Sequence, residues 1–349
     1  REKVNSFMAN SWTKLLVLRF SSIGDIIQTT SVLNTIKKHY PNCEIGFLTL
    51  KKYEPLLFNH PSVDHLLSIN ADTSIKSISD LIEKREYQVI VDLHSSIRSK
   101  LIRKNLRSIK SYSVLKPRKN RFSLFLNHRN NFDTLFNQKN WLHEPLKILL
   151  PKDYEPSGIS LNVTEKEKRN AIELLNENGL NNKKYFTLIP GAAWSQKQWA
   201  VEKYIELVNI CGKKYDITPI LLGSSDDIIC KKIRLNTSIK SIDLSGKTNI
   251  RQAIAILSSS ILSIGSDTGF TYASEALAVP TVAILGPTSF ETGAGVLSKN
   301  SINIQKNDIW CRPCSQNGSF PCYRQTQYCM DKINTSDVFN NVEKLLTQT

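Results

Sequence analysis

Apolar residues fall in short runs separated by longer amphipathic stretches along most of the chain. The first run, residues 14–20 (KLLVLRF), follows a polar leader and breaks at Ser21-Ser-Ile-Gly-Asp25, after which helical spacing covers 26–39. A second run, 44–50, begins beyond Pro41-Asn42, and 89–92 is short and apolar up to its last residue. Such runs predict strands covered on both faces, and helices between them predict a parallel sheet. Across 151–158 the composition turns to Pro, Gly and charge, which reads as a linker. Next, Thr164 precedes Glu167 by three residues and Gly179 closes the segment, predicting a capped, solvent-facing helix over 164–178. The alternation then restarts, with strands expected at 185–189, 217–222, 261–264 and 281–285. Each ends in small residues: Pro190-Gly-Ala-Ala193, Gly223-Ser-Ser225, Gly265-Ser-Asp-Thr-Gly269 and Gly286-Pro-Thr288. The pattern predicts two doubly wound α/β domains, 13–155 and 160–332, with a last helical stretch inside 335–349.

Length agrees, since 349 residues are too many for one comfortable core. No window approaches the roughly 20 unbroken apolar residues of a membrane helix. The leader, 1–10, lacks the apolar core of a secretion signal, with Met8 an alternative start, so a cytoplasmic protein is expected. The net charge of +15 changes this picture because of where it sits. From Leu93 to Asn131 there is no Asp or Glu, while the stretch carries Arg98, Lys100, Arg103, Lys104, Arg107, Lys110, Lys116, Arg118, Lys119, Arg121 and Arg129. Such a field draws a polyanion: a phosphorylated glycolipid, an anionic membrane surface or nucleic acid. The plainer reading is a solvated basic face. Nucleic acid is disfavoured because the basic stretch lacks interleaved aromatics for stacking on bases.

In doubly wound sheets ligands sit at the carboxyl ends of the strands, so the loops hold the chemistry. Gly265-Ser266-Asp267-Thr268-Gly269 opens a helix over 270–278, whose free N–H groups and dipole suit a phosphate, and Gly286-Pro287-Thr288 is a second such loop. Neither loop matches the nucleotide-triphosphate P-loop or the dinucleotide glycine fingerprint. After the 185–189 strand, Gly191-Ala192-Ala193-Trp194 leads to Lys197, a cation placed to take the charge of a departing diphosphate. In the first half, Ser22-Ile23-Gly24-Asp25 puts a carboxylate at a strand-to-helix turn, where it either caps the helix or acts as a general base.

Together these residues are similar to bacterial lipopolysaccharide heptosyltransferases, glycosyltransferase family nine. The resemblance is carried by 19–33 (RFSSIGDIIQTTSVL), 61–64 (PSVD), Pro190-Gly-Ala192 with Lys197-Gln-Trp199, Ser266-Asp-Thr-Gly269 with 273–280, and Leu285-Gly-Pro-Thr288. It runs in order over 14–345. It implies a GT-B fold, two Rossmann-like domains facing an interdomain cleft, with the final helix crossing back onto the first domain. It also implies an inverting transfer of heptose from ADP-heptose to an anionic lipopolysaccharide inner-core acceptor, at a peripheral position on the inner membrane. Asp25 is then the base and Lys197 the stabiliser of the leaving diphosphate. Donor contacts fall to Gly24, Gly191, Ala192, Lys197, Gly223, Asp227, Asp267, Thr268, Gly269, Tyr272, Gly286 and Thr288, with Asp227 near the ribose. Ser22, Arg98, Arg103, Arg118 and Arg121 are assigned to the acceptor. Where the family often carries His, this chain has Tyr272, which leaves open a GT-B enzyme with another donor or a sugar-nucleotide epimerase. A basic nucleic-acid-binding protein without catalysis is the alternative from another class.

Of seven cysteines, Cys311, Cys314, Cys322 and Cys329 crowd together as C-x2-C-x7-C-x6-C. Four thiolates at this spacing allow a structural zinc site, against free or redox-paired thiols; no metal is expected in catalysis. Cys43, Cys211 and Cys230 lie in apolar surroundings and read as small core residues, and the six histidines show no ligand spacing.

Overall fold

The computed structural model describes residues 12–180 and 184–347. The polar leader with Met8, and the last two residues of the expected 335–349 helix, lie outside them. Contacts divide the described residues into two compact units, one of 12–21, 29–116 and 139–157, the other of 22–28, 117–138, 158–180 and 184–347. The second unit thus takes in two segments that are early in the sequence, a grouping that linear reading of domains 13–155 and 160–332 does not contain.

The first unit is a parallel five-stranded sheet in the order β3-β2-β1-β4-β5. Its strands are β1 (Lys14–Leu18), β2 (Glu44–Leu50), β3 (His65–Ile69), β4 (Val89–Asp92) and β5 (Lys110–Ser113). The helices are α1 (Ile23–His39), which belongs to this unit from Thr29 on, α2 (Ile75–Glu83) and α3 (Ile97–Asn105). The central strands β1 and β4 are buried on both faces, as their unbroken apolar runs require. Helix α1 begins at Ile23 rather than at 26 as expected, so Gly24 and Asp25 lie in its first turn instead of ahead of it.

Two arginines assigned to the acceptor are held inside this unit. Arg103 on α3 pairs with Asp92 at 3.0 Å, and the Asp92 side chain is fully buried at the end of β4. Arg98 donates to the carbonyls of Ala71 and Thr73 at 2.8 and 2.6 Å and lies 5.6 Å over the Phe20 ring. Arg98 ties loop carbonyls and Arg103 neutralises a buried carboxylate, structural uses that charge in the sequence does not distinguish from ligand binding. Arg103→Met is expected to cost about 3 kcal/mol of stability, because it strands a buried carboxylate. The exposed Arg118→Ala is expected to stay within about 0.5 kcal/mol. Urea denaturation of the two variants checks the contrast.

Two further helices follow, α4 (Arg118–Asn127) and α5 (Gln138–His143). The second unit then builds a parallel six-stranded sheet in the order β11-β10-β9-β6-β7-β8. Its strands are β6 (Tyr185–Ile189), β7 (Thr218–Leu221), β8 (Ile242–Asp243), β9 (Ser263–Ser266), β10 (Thr281–Ile284) and β11 (Ser301–Ile304). The helices are α6 (Glu165–Glu177), α7 (Val201–Tyr215), α8 (Ile228–Asn236), α9 (Ile250–Ser258), α10 (Gly269–Ala276), α11 (Tyr328–Asp331) and α12 (Thr335–Thr347). Thr164 and Glu167 form the expected capping box on α6, and Gly179 follows the helix at φ +89°.

Two expectations are corrected here. The strand expected at 261–264 is β9, which runs to Ser266, so Gly265 is a strand residue and not part of the turn. Space explains the glycine: a Cβ there would lie 2.5 Å from Thr271 Oγ1 and 3.1 Å from Ile189 Cβ. The final helix α12 belongs to the second unit. Val338, Val342 and Leu345 are buried in one cluster with Tyr204, Leu207, Val282 and Ile284, which replaces the expected return to the first domain. Its apolar positions recur at i, i+4 and i+7, a stripe that any nearby apolar surface satisfies.

Candidate donor and catalytic site

Strand order in the second sheet reverses between β6 and β9, the position where a doubly wound sheet opens a crevice at the strands' carboxyl ends. Lys197 follows β6 and Asp267 follows β9, so both arrive at that crevice. There a cavity of about 290 Å³ is lined by Ser22, Gly24, Asp25, Gln28, Lys197, Asp267, Thr268, Gly269, Tyr272, Thr292, Gly293, Ala294, Gln316 and Asn317. All of these residues belong to the second unit.

Two helix N-termini meet at this cavity. A Cβ on Gly24 would lie 2.8 Å from the Tyr272 ring, and one on Gly269 would lie 2.6 Å from Ile23 and 3.2 Å from the Gly24 nitrogen. Only hydrogen at both positions lets the first turns of α1 and α10 approach so closely. Thr268 is the N-cap of α10, and no side-chain hydrogen bond closes that helix end. The first-turn amides and the dipole favour an anion there.

Asp267 is the electrostatic centre. Its carboxylate is buried, pairs with Lys197 Nζ at 2.8 Å, and accepts from Tyr272 Oη at 2.6 Å and Thr288 Oγ1 at 2.8 Å. Burial alone would push this carboxyl up; the Lys197 ammonium and the two hydroxyls outweigh it and hold it below the ordinary carboxylate range. Tyr272, which lines the cavity, also accepts from the Gly295 amide at 3.1 Å, so its hydroxyl is engaged. Burial, then the adjacent Asp267 charge, raises the phenol well above its usual value and keeps it neutral.

Asp25 accepts from the Ser22 amide at 3.0 Å and from Ser22 Oγ at 2.7 Å, so Ser22 orients the carboxylate rather than standing free for an acceptor. Arg121 is half-buried, donates from Nε to the Glu291 carbonyl at 3.3 Å, and has Asp25 as its opposing charge. Burial brings its guanidinium down to about 10, which leaves it cationic at neutral pH.

The other donor assignments separate from this group. Asp227 lines a second cavity of about 450 Å³, with Ser225, Lys231, Arg234, Asp243 and Ser245 among its neighbours. It accepts from the Ser224 amide and hydroxyl at 2.6 and 3.0 Å. Gly191 and Gly223 pack directly under its carboxylate, where a Cβ would approach to 2.3 and 2.7 Å. The Ala192 carbonyl accepts from Gln198 Nε2 at 3.3 Å, and the Gly286 carbonyl from Arg312 Nε at 2.7 Å. Gly191, Ala192, Gly223, Gly286 and Thr288 line neither cavity. They shape the loops instead, and Thr288 supports Asp267.

Six lining residues escaped the sequence reading: Gln28, Thr292, Gly293, Ala294, Gln316 and Asn317. The Thr292-Gly-Ala-Gly295 run was a visible signal for a special loop, and both glycines do have positive φ. Gln316 and Asn317 gave none. They come from the cysteine-bearing loop, which Gln316 Nε2 ties to the Thr292 carbonyl at 2.6 Å. Gly318, at φ +81°, lies so close to the Lys197 side chain that a Cβ would be 2.5 Å from its Cγ. All seven cysteines are free. Burial pushes Cys211 and Cys230 up to about 12, as expected of core thiols. Cys314 is raised to about 11 by burial and by the nearby Cys329, Cys311 and Cys322. Among the described residues no group of three or more His, Cys, Asp or Glu is arranged to hold a metal ion.

Residues 75–323 match the family model for glycosyltransferase family 9 (heptosyltransferase). The chain belongs to this family. The glycosyltransferase is 27% identical to lipopolysaccharide heptosyltransferase 1 of Campylobacter coli, covering 95% of this chain and 98% of that one. Among solved structures, the family 9 glycosyl transferase from Veillonella parvula superposes with a TM-score of 0.78 at 18% identity, covering 97% of this chain and 98% of that one. The ADP-heptose lps heptosyltransferase II of E. coli does so at 0.74 and 20% identity, covering 96% and 99%. Both parallel-sheet units of this enzyme are thus those of a GT-B glycosyltransferase.

Proposed function

We propose that this glycosyltransferase moves a heptose from ADP-heptose to a hydroxyl of an anionic lipopolysaccharide inner-core acceptor, with inversion at the anomeric carbon. One observation carries the reading: Asp25, the Lys197 ammonium and the N-terminus of α10 line a single cavity. A base, a cation and a helix dipole are what displacement of a diphosphate requires.

In this reading Asp25 takes the proton of the acceptor hydroxyl as its oxygen bonds to the anomeric carbon. The bond from that carbon to the diphosphate oxygen breaks with its electron pair, and ADP leaves. Lys197 and the amides of Thr268 and Gly269 receive the developing charge, so no step is routed through a metal. Asp227, in the adjoining loop of the same sheet, is assigned to the nucleoside. Arg121 and the exposed Arg118 remain for the acceptor's anionic groups; Arg98 and Arg103 do not. An acceptor anchored in lipid brings the enzyme to the cytoplasmic face of the inner membrane as a peripheral protein. Among the described residues no helix is long and apolar enough to cross a membrane.

Calorimetric titration with ADP and UDP tests the donor assignment. ADP is expected to bind and UDP to bind at least about tenfold more weakly, a difference of about 1.4 kcal/mol. Equal affinity would overturn the adenine nucleotide.

A further inference from the structure

The second unit carries exposed aromatic side chains that do not line the donor cavity. Trp310 is 60% exposed, Tyr323 63%, Phe122 65% and Leu126 63%, all large apolar groups facing water. Trp310 adjoins both Tyr323 and the end of α4. His128, just past the end of α4, meets Trp310 edge-on at 4.8 Å between ring centroids, and Trp310 lies 6.4 Å from Tyr323. Along α4, Arg118, Phe122 and Leu126 recur every four residues and form one exposed stripe.

Cations frame these rings. Arg324 lies 5.4 Å over Trp310 and 4.9 Å over Tyr328, and Lys332 lies 5.9 Å over Tyr328. Arg118, Lys119 and Arg129 are exposed on and beside α4. Of the carboxylates nearby, Asp308 pairs with Lys332 at 3.9 Å and Glu291 accepts from Asn130 Nδ2 at 2.7 Å and Ser289 Oγ at 2.5 Å, while Asp331 on α11 is exposed.

We infer that this face, centred on Trp310, Tyr323 and the exposed stripe of α4, docks the enzyme onto an anionic phospholipid surface. Charge decides the occupant. A second copy meeting this face with its own would bring cations against cations, because a two-fold interface joins identical patches. An anionic bilayer complements them, and Trp and Tyr are the side chains whose apolar body and polar tip suit the headgroup boundary. The inference rests on the proposed lipid-linked acceptor, which requires that some surface of the enzyme meet the membrane.

Flotation of the full chain with vesicles tests it, using phosphatidylcholine alone and phosphatidylcholine with about a third phosphatidylglycerol. The wild type is expected to float with the anionic vesicles only, and less so as salt rises. The triple variant Phe122→Ser, Trp310→Ser, Tyr323→Ser is expected to lose on the order of tenfold in vesicle affinity per side chain removed. Arg324→Gln is expected to lose about fivefold. These side chains are exposed, so the melting temperature and ADP affinity of each variant should match the wild type. Flotation equal to wild type by the triple variant would overturn the assignment, as would a wild type that floats with neither vesicle. So would a dimer, seen by light scattering, that the triple variant dissolves. ADP titration and flotation read different surfaces, so failure of the donor assignment leaves the vesicle result standing, and the reverse holds.

Discussion

Asp25→Asn is expected to lower kcat by between about 100- and 10 000-fold, the range that a positioned general base contributes, while ADP affinity stays within about twofold of the wild type. Asn keeps the shape of the side chain and an oxygen that can accept from Ser22, whose amide and hydroxyl hold Asp25 at 3.0 and 2.7 Å. It cannot take a proton. The positive diphosphate end of the cavity, Lys197 and the start of α10, is untouched. The loss should therefore fall on kcat and not on donor binding, a separation read by turnover at saturating donor alongside calorimetry with ADP. A variant turning over near the wild-type rate would remove Asp25 from the mechanism.

Lys197→Ala is expected to act twice, and the pair with Asp267 tells the two effects apart. Removing the ammonium leaves the buried Asp267 carboxylate without its opposite charge, which costs about 3–5 kcal/mol of stability. It also removes the cation offered to the diphosphate, so ADP affinity should fall by on the order of tenfold or more. Adding Asp267→Asn to Lys197→Ala takes away the stranded charge, since the Asn oxygen can still accept from Tyr272 while its amide donates to the Thr288 hydroxyl. The double variant should regain most of the lost stability in urea denaturation and none of the ADP affinity. If the double variant bound ADP like the wild type, Lys197 would be a structural partner of Asp267 and not a donor ligand.

Particular residues show how far the sequence was legible. Thr164 and Glu167 lie three apart and satisfy each other locally, so the start of α6 was readable from spacing alone. The unbroken apolar runs of β1 and β6 announced parallel strands for the same reason: their burial on both faces is written as composition. Arg98, Arg103 and Arg121 were alike in sequence and have three different uses. One seals loop carbonyls, one neutralises a buried carboxylate of its own unit, and one stands opposite Asp25. Nothing local distinguishes them, because each partner lies far along the chain or on another element. Gln316 and Asn317 were invisible for the complementary reason, being ordinary loop residues whose place in the cavity depends on where the loop after β11 comes to rest.

Sequence alone determined the α/β class, two consecutive parallel sheets, the family, and the chemistry-bearing loops around Asp25, Lys197 and Asp267. These follow from periodicity and from short motifs whose hydrogen bonds close within a few residues. Only the tertiary structure decided that Ser22 to Gln28 and α4 group with the second unit, that α12 packs there too, and that Asp267 is the buried partner of Lys197 and Tyr272. Those outcomes depend on which surfaces exclude water together and which charges lose it. Such properties belong to pairs of distant residues and are carried by neither one's local sequence.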